Sequence, residues 1–248
     1  KNMISIQILR SIGTRYAQEW ATRFGFDAER HPPYLTMALG AGSATPMQMA
    51  VGYSVFANGG YRVNPWLITK VSEQRGRVLA QSQAAALSDS ERAIDARNAF
   101  IMTSLLQEVT RSGTAARAQA TLKRPDISGK TGTTNDSMDA WFAGYQQTLT
   151  AVTWIGYDTP RKLGDRETGG GLSLPVWISF METALKGVPV AEASAPEGVI
   201  NVGGEWYYDE YSKNEGVIGL GFDSAPEENV LTLPPAEEKK KILDLFKN

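Results

Sequence analysis

The run Ser128-Gly129-Lys130-Thr131-Gly132-Thr133-Thr134, continued by Asn135 and Asp136, constrains this chain more than any other stretch. Small and hydroxylated residues surround a single lysine. Two glycines leave the backbone bare, so that a ligand can approach it closely. Such a run suits an edge strand that grips a carboxylate and turns backbone N–H groups towards a reacting carbonyl. It points to a reaction class, acyl transfer, as well as to a strand.

The expected chemistry follows from side-chain alternation. In a strand Thr131 and Thr133 face the same side, and both hydroxyls can donate to one carboxylate. Lys130 has no acidic neighbour beside it in the sequence. At ~4 Å from a substrate carboxylate its ammonium would contribute about 4 kcal/mol of gross attraction at an effective dielectric of ~20. It can also lower the pKa of a nearby serine or lysine, or relay a proton. Gly132 keeps the backbone between the threonines bare, and the Thr133 N–H can form half of an oxyanion hole. A phosphate-binding loop would need glycine where Arg124 stands and a helix former where Gly132-Thr133-Thr134-Asn135-Asp136 follows. A plain polar turn and a non-enzymatic ligand pocket use the same residues and stay open at this point.

Composition narrows the alternatives. The 248 residues suffice for one large domain or one and a half small ones. A formal net charge of −2 supplies no positive field for nucleic acid. Cysteine is absent, which excludes disulfides and thiolate metal sites. The single histidine, His31, stands beside Pro32 and Pro33 and is expected to be a loop residue rather than a catalytic base or ligand. A Ser-His-Asp triad is therefore not expected. No run of ~18 apolar residues and no signal peptide occur. The first residue is Lys1, and the chain is expected to be a piece of a longer protein.

Periodicity places the elements. Ile4, Ile8, Leu9 and Ile12 share a helical face with Asn2 at the N-cap, although Ile4, Ile6 and Ile8 also fit a strand. Thr14 is expected to cap a second helix, with a stripe of Tyr16, Ala17, Trp20, Ala21 and Phe24 ending at Gly25. Thr45-Pro46-Met47-Gln48 is a capping box with proline at the first helical position, and Asn58-Gly59-Gly60 stops that helix. Trp66 to Val71 and Val78 to Gln81 suit a hairpin. Ser82 to Asp95 is expected to be an exposed connection. Met102, Leu105, Leu106 and Val109 mark a helix ending near Gly113. Asp139 to Tyr145 and Thr150 to Tyr157 suit neighbouring antiparallel strands joined by Gln146-Gln147, and Trp177 to Leu185 suits a helix starting near Pro175. After Val190 the chain turns polar, with short strands expected at Glu205 to Tyr211 and Gly216 to Phe222. Glu237 to Lys241 is a charged run, expected to be a solvated face, that leads a short apolar tail from Ile242 to Phe246. The sum is an α+β fold, an antiparallel sheet covered by helices.

Lys130-Thr131-Gly132 resembles the third signature of the serine acyl transferases that react with penicillin, a set that the S-x-x-K and K-T-G motifs define. The wider run Gly129 to Asn135, followed by Asp139-Ala140-Trp141-Phe142-Ala143-Gly144-Tyr145, is similar to the class A penicillin-binding proteins. So are Ala38-Leu39-Gly40, Thr45-Pro46-Met47, Phe56-Ala57-Asn58-Gly59-Gly60, Trp154-Ile155-Gly156-Tyr157-Asp158 and Leu174-Pro175-Val176-Trp177. The resemblance implies the penicillin-binding transpeptidase (serine β-lactamase-like) fold, N-terminally truncated. Residues 1–190 would be the C-terminal part of that domain, and residues 191–248 an irregular extension with short strands.

The resemblance also implies roles. Asn2 would end a Ser-x-Asn motif whose serine lies upstream, hold a substrate amide and orient the catalytic lysine. Lys130 would supply charge, Thr131 and Thr133 would bind the terminal carboxylate with Gly132 and Thr134 beside them, and the Thr133 N–H would stabilise the oxyanion. No cofactor or metal is implied. The partners implied are peptidoglycan stem peptides ending in D-Ala-D-Ala, β-lactams and the upstream half of the same protein, with no nucleic acid and no membrane contact by this chain. The place implied is the periplasmic face of the bacterial inner membrane, with the anchor and a glycosyltransferase domain upstream. Ser-x-x-Lys occurs nowhere in the 248 residues, so the nucleophile is expected outside this chain. Ser212-Lys213-Asn214 matches Ser-x-Asn by letters but follows the lysine strand, in the wrong order. A D,D-carboxypeptidase and a non-catalytic β-lactam sensor are the competing readings. A class A β-lactamase would carry Glu-x-x-Leu-Asn, which none of Glu19, Glu29, Glu73, Glu91 or Glu108 begins.

Overall fold

The computed structural model describes residues 2–83, 87–191 and 194–211. The Ser212-Lys213-Asn214 triplet, the strand expected at Gly216 to Phe222 and the charged tail from Glu237 to Phe246 lie outside these residues.

The chain opens with two helices, α1 (Asn2–Ile12) and α2 (Thr14–Thr22). The helical alternative for Ile4 to Ile12 is the one adopted. Asn2 is the first helical residue rather than the cap. The break between the helices falls on Gly13, whose φ of 89° an L side chain rarely adopts, so Gly13 takes the N-cap position expected for Thr14. Helix α3 (Pro46–Ala57) carries the full capping box. Thr45 Oγ1 accepts the Gln48 N–H at 3.1 Å and Gln48 Oε1 accepts the Thr45 N–H at 2.9 Å.

The expected hairpin forms as β1 (Lys70–Ser72) and β2 (Val78–Gln81). Its first strand starts at Lys70 rather than Trp66, and just before it the Thr69 carbonyl accepts the Ser82 N–H at 2.9 Å. The connection towards α4 (Ala96–Arg111) is a correction to the sequence reading, since Ala93 and Ile94 at its end are buried. The Gly60 carbonyl accepts both of their N–H groups, at 2.8 and 3.1 Å. The two residues join Val55 and Ala99 in a cluster lined by Trp20, Phe24 and Phe56. A short helix, α5 (Arg117–Leu122), follows.

The central sheet consists of β3 (Ser128–Thr133), β4 (Ala140–Gln146) and β5 (Leu149–Ile155), antiparallel and in the order β3-β4-β5. Lys130 pairs with Ala143, Thr131 with Phe142 and Thr133 with Ala140. Helices α3 and α4 cover one face. Helix α6 (Leu174–Ala184) covers the other, where Phe142, Trp177, Leu174, Ile178 and Met181 are buried together. Phe142 meets Trp177 edge to face with ring centroids 4.9 Å apart, an arrangement that adds about 1 kcal/mol to the burial of both rings. A π-helical turn, Gly169–Ser173, leads into α6. Among the described residues no helix is long and apolar enough to cross a membrane.

After α6 a second hairpin, β6 (Val199–Val202) with β7 (Glu205–Tyr208), lies against α4. Trp206 meets Phe100 at 4.9 Å, and Glu210 pairs with Arg97 at 3.0 Å. The strand expected at Glu205 to Tyr211 thus stops at Tyr208 and continues as a 3-10 turn.

Candidate functional site

The lysine strand, β3, is an edge of the central sheet. Its pairing fixes where each group points. Thr131 and Thr133 lie opposite Phe142 and Ala140, so their side chains stand on the α6 face. Lys130 lies opposite Ala143, on the α3 and α4 face with Tyr145. The Thr134 N–H donates to the Asp139 carbonyl at 3.2 Å. Hydrogen-bonded and non-hydrogen-bonded pairs alternate along an antiparallel ladder. Gly132 and Lys130 therefore turn their amides towards β4, and Thr133 and Thr131 turn theirs to the edge that no strand pairs among the described residues.

Each polar group of the strand has a defined setting. The Lys130 Nζ donates to the Thr131 carbonyl at 2.7 Å. Among the described residues no carboxylate lies within ion-pair distance of it. The lysine reaches solvent, yet desolvation by its surroundings lowers its pKa below the ordinary lysine value of 10.5. The Thr133 hydroxyl accepts the Gly169 N–H at 3.0 Å, which leaves its own proton to donate. The Thr131 hydroxyl lies 2.9 Å from that of Thr114. The Thr134 hydroxyl accepts the Asp139 N–H at 2.7 Å and closes the β3–β4 turn. Asp139 in turn accepts the Trp154 indole N–H at 2.7 Å. Beside this turn, the Leu163 N–H donates to the Ser137 carbonyl at 2.9 Å, so the segment after β5 leans on the end of the lysine strand.

The glycine-rich turn lies close behind the strand. A Cβ at Gly169 would come within 2.2 Å of the Trp141 carbonyl and 2.4 Å of the Gly132 carbonyl. Only a glycine lets the two backbones meet at that separation. Thr114 and Gly169 meet β3 across 17 and 36 residues, contacts that no local sequence pattern marks. The available signal was the run Gly169-Gly170-Gly171, which marks a close backbone approach without naming its partner.

The other candidates are placed as follows. Asn2 stands exposed at the start of α1, which packs on α2 and the 3-10 turn Leu35–Leu39. No hydrogen bond joins Asn2 to β3 among the described residues. His31 follows a 3-10 turn, and its Nδ1 lies 2.9 Å from the Asp27 carbonyl, as expected of a loop residue. Among the described residues no group of three or more His, Cys, Asp or Glu side chains is arranged to hold a metal ion.

Residues 1–181 match the family described as the penicillin binding protein transpeptidase domain. The chain is 49% identical over 221 residues to penicillin-binding protein 1A of Neisseria flavescens, covering 89% of this chain and 28% of that protein. It is 39% identical to penicillin-binding protein 1A of Pseudomonas aeruginosa, covering 82% of this chain and 30% of that protein. The chain thus spans less than a third of the length of these two relatives. Among solved structures, penicillin-binding protein 1A from Haemophilus influenzae superposes with a TM-score of 0.77 at 30% identity, covering 84% of this chain and 38% of that one. The fold, an antiparallel sheet between helices, is shared with PonA1 from Mycobacterium tuberculosis at a TM-score of 0.60 and 24% identity, over 75% of this chain and 56% of that one. By this match over most of its length, the chain belongs to the penicillin-binding protein transpeptidase domain family.

Proposed function

We propose that residues 1–190 form the C-terminal part of a D,D-transpeptidase domain, with residues 191–248 as an extension of it. The reaction cross-links peptidoglycan stem peptides through an acyl-serine intermediate. The observation that carries this reading is the edge strand β3, which turns the Thr133 N–H outward beside a hydroxyl already supplied with a donor by Gly169.

The proposed steps are these. No Ser-x-x-Lys occurs in the 248 residues, so a serine outside this chain attacks the penultimate D-Ala carbonyl. The carbonyl oxygen becomes an oxyanion that accepts the Thr133 N–H. Losing one such donor costs about 3 kcal/mol. Collapse breaks the C–N bond and expels the terminal D-Ala, whose nitrogen takes up the proton that the serine gave up, and leaves the acyl-enzyme. The amine of a second stem peptide attacks that ester, forms the new amide and returns the serine. Thr131 and Thr133 hold the terminal carboxylate. Lys130 adds its charge, and Gly132 and Thr134 border the ligand. Asn2 receives the substrate amide and orients the lysine of Ser-x-x-Lys, which like the serine lies outside this chain. A β-lactam enters by the same contacts, because its carboxylate and strained amide imitate the dipeptide. The complete protein acts at the periplasmic face of the bacterial inner membrane, held by an anchor outside this chain, and also carries a glycosyltransferase.

The test uses the full-length protein, a D-Ala-D-Ala donor peptide and an amine acceptor. Cross-linked product is the expected outcome. Free acid alone would assign a carboxypeptidase, and a stable β-lactam adduct without either product would assign a sensor.

A further inference from the structure

Thr114 lies in the turn between α4 and α5, 17 residues before Thr131, and its hydroxyl is 2.9 Å from Thr131 Oγ1. The turn is firmly held. Ala115 is fully buried and donates its N–H to the Val109 carbonyl at 3.1 Å, and Ala116 donates to the Gly113 carbonyl at 3.1 Å. A Cβ at Gly113 would come within 2.9 Å of the Val109 backbone, so the turn sits directly on the end of α4. It also meets the glycine-rich turn, because a Cβ at Gly170 would lie 3.3 Å from the Thr114 carbonyl.

A hydroxyl carries one proton and two lone pairs. If Thr131 donates its proton to a carboxylate, it has none left for Thr114, and the bond between them must run the other way. We propose that Thr114 is a positioning residue that donates its O–H to Thr131 Oγ1 and so aims the Thr131 proton at the terminal carboxylate of the substrate. This inference rests on the reading of Thr131 as a carboxylate ligand. It gives the two threonines matching support: Thr133 accepts from a backbone N–H and Thr131 from a side-chain O–H, and both present protons on the α6 face. Hydrogen bonds in such a chain polarise one another, so the outer donor is strengthened as well as oriented. The device favours acyl donors that end in a free carboxylate over those in which it is esterified.

The experiment compares Thr114→Val, Thr114→Ser, Thr131→Val and the double valine variant in the full-length protein. Acylation is followed with a penicillin and with its methyl ester. Thr114→Val is expected to slow acylation by the free acid about five- to tenfold, the weight of one neutral hydrogen bond. The loss falls on the apparent affinity rather than on the first-order acylation step. The ester rate stays unchanged, which also reports an intact fold. Thr114→Ser restores the acid rate, and the double variant is no slower than Thr131→Val alone. An unchanged acid rate in Thr114→Val, where Thr131→Val is slowed, overturns the relay and spares the carboxylate reading. Equal losses on acid and ester in Thr114→Val overturn it too. If Thr131→Val itself treats acid and ester alike, the carboxylate reading falls and takes the relay with it.

Discussion

The Gly169 N–H donates to the Thr133 hydroxyl at 3.0 Å, across a gap between two backbones that no Cβ can enter. The bond and the gap have one cause. The turn before α6 lies against the Gly132 peptide, and that proximity brings its first N–H to the threonine. Gly169→Ala is therefore expected to push the turn away from β3 and to break the bond, at about 1–3 kcal/mol of stability from overpacking. Penicillin acylation of the full-length protein should fall with it. Gly171→Ala is the matched control, because its Cβ would meet only Thr168 Oγ1, at 3.3 Å. Denaturant midpoints and acylation rates for the pair test the argument, and equal behaviour of the two variants would reject it.

Lys130 gives a prediction in which activity and stability separate. Lys130→Ala should slow penicillin acylation at least about tenfold, since about 1.4 kcal/mol is well within the attraction of an ammonium for a nearby carboxylate. An unchanged rate would remove Lys130 from the site. Burial lowers the lysine pKa below 10.5. Acylation by the free acid should therefore decline with rising pH earlier than an ordinary lysine would allow. Lys130→Arg, which stays charged, should lose that alkaline limb whatever its remaining rate. The fold responds with the opposite sign. Between the folded and unfolded pKa values the unfolded chain binds more protons, so stability rises with pH there, and below that window the charged lysine carries its full desolvation cost. Lys130→Met should therefore hold or raise the denaturation midpoint at neutral pH while acylation falls.

What the sequence made legible follows the range of the interactions involved. Thr45, Pro46 and Gln48 lie within one turn, so the start of α3 was readable to the residue. The strands β4 and β5 were readable from their apolar runs and the short link between them, and β3 from its bare, hydroxylated run. Lys130, Thr131 and Thr133 share one strand, and alternation alone placed the two threonines together. Thr114 meets Thr131 across 17 residues and Gly169 meets Thr133 across 36, through packing that no local pattern encodes. Ala93 and Ile94 were hidden for a related reason. They end a polar stretch, and only the Gly60 carbonyl, far back in the chain, draws them inward. Asn2 stands on a different element from the lysine strand, so the role proposed for it rests on the motif and not on a contact.

Tyr145 links the strand next to β3 with helix α4. Its hydroxyl lies 2.8 Å from Thr103 Oγ1, and the side chain is buried on the α3 and α4 face near Tyr53. Burial pushes its pKa up to about 12, and that of Tyr53 likewise. A phenol whose folded pKa is raised contributes stability that is fully present below its unfolded value of 10.0 and is lost as pH rises towards about 12. Tyr145→Phe should lower stability at neutral pH by about 1 kcal/mol, because the Thr103 hydroxyl loses its partner. It should also make the alkaline loss shallower. Midpoints measured at neutral and alkaline pH check both, and an equally steep alkaline loss in Tyr145→Phe would count against the assignment.

Asp126 should be the most sensitive structural carboxylate among the described residues. Its side chain is 3% exposed, and it pairs with Arg124 at 2.7 Å. It also accepts the Gln146 amide at 3.1 Å and the Ala191 N–H at 2.9 Å. Burial alone would raise its pKa, but Arg124, Ala191 and Gln146 together outweigh that and hold it below the usual 3.8. The site ties the entry to β3, the end of β4 and the segment after α6 at one point, with Arg124 also donating to the Val188 carbonyl at 2.7 Å. Asp126→Ala leaves a nearly buried guanidinium without its counter-charge and should cost about 3–5 kcal/mol. Because the folded pKa is depressed, this stabilisation is complete above 3.8 and fades as pH falls through the folded value. The wild-type midpoint should drop on acidification through that range. The midpoint of an Asp126→Asn variant, already lowered at neutral pH, should drop less over the same range. Parallel acid profiles for the two proteins would show that the charge of Asp126 contributes nothing.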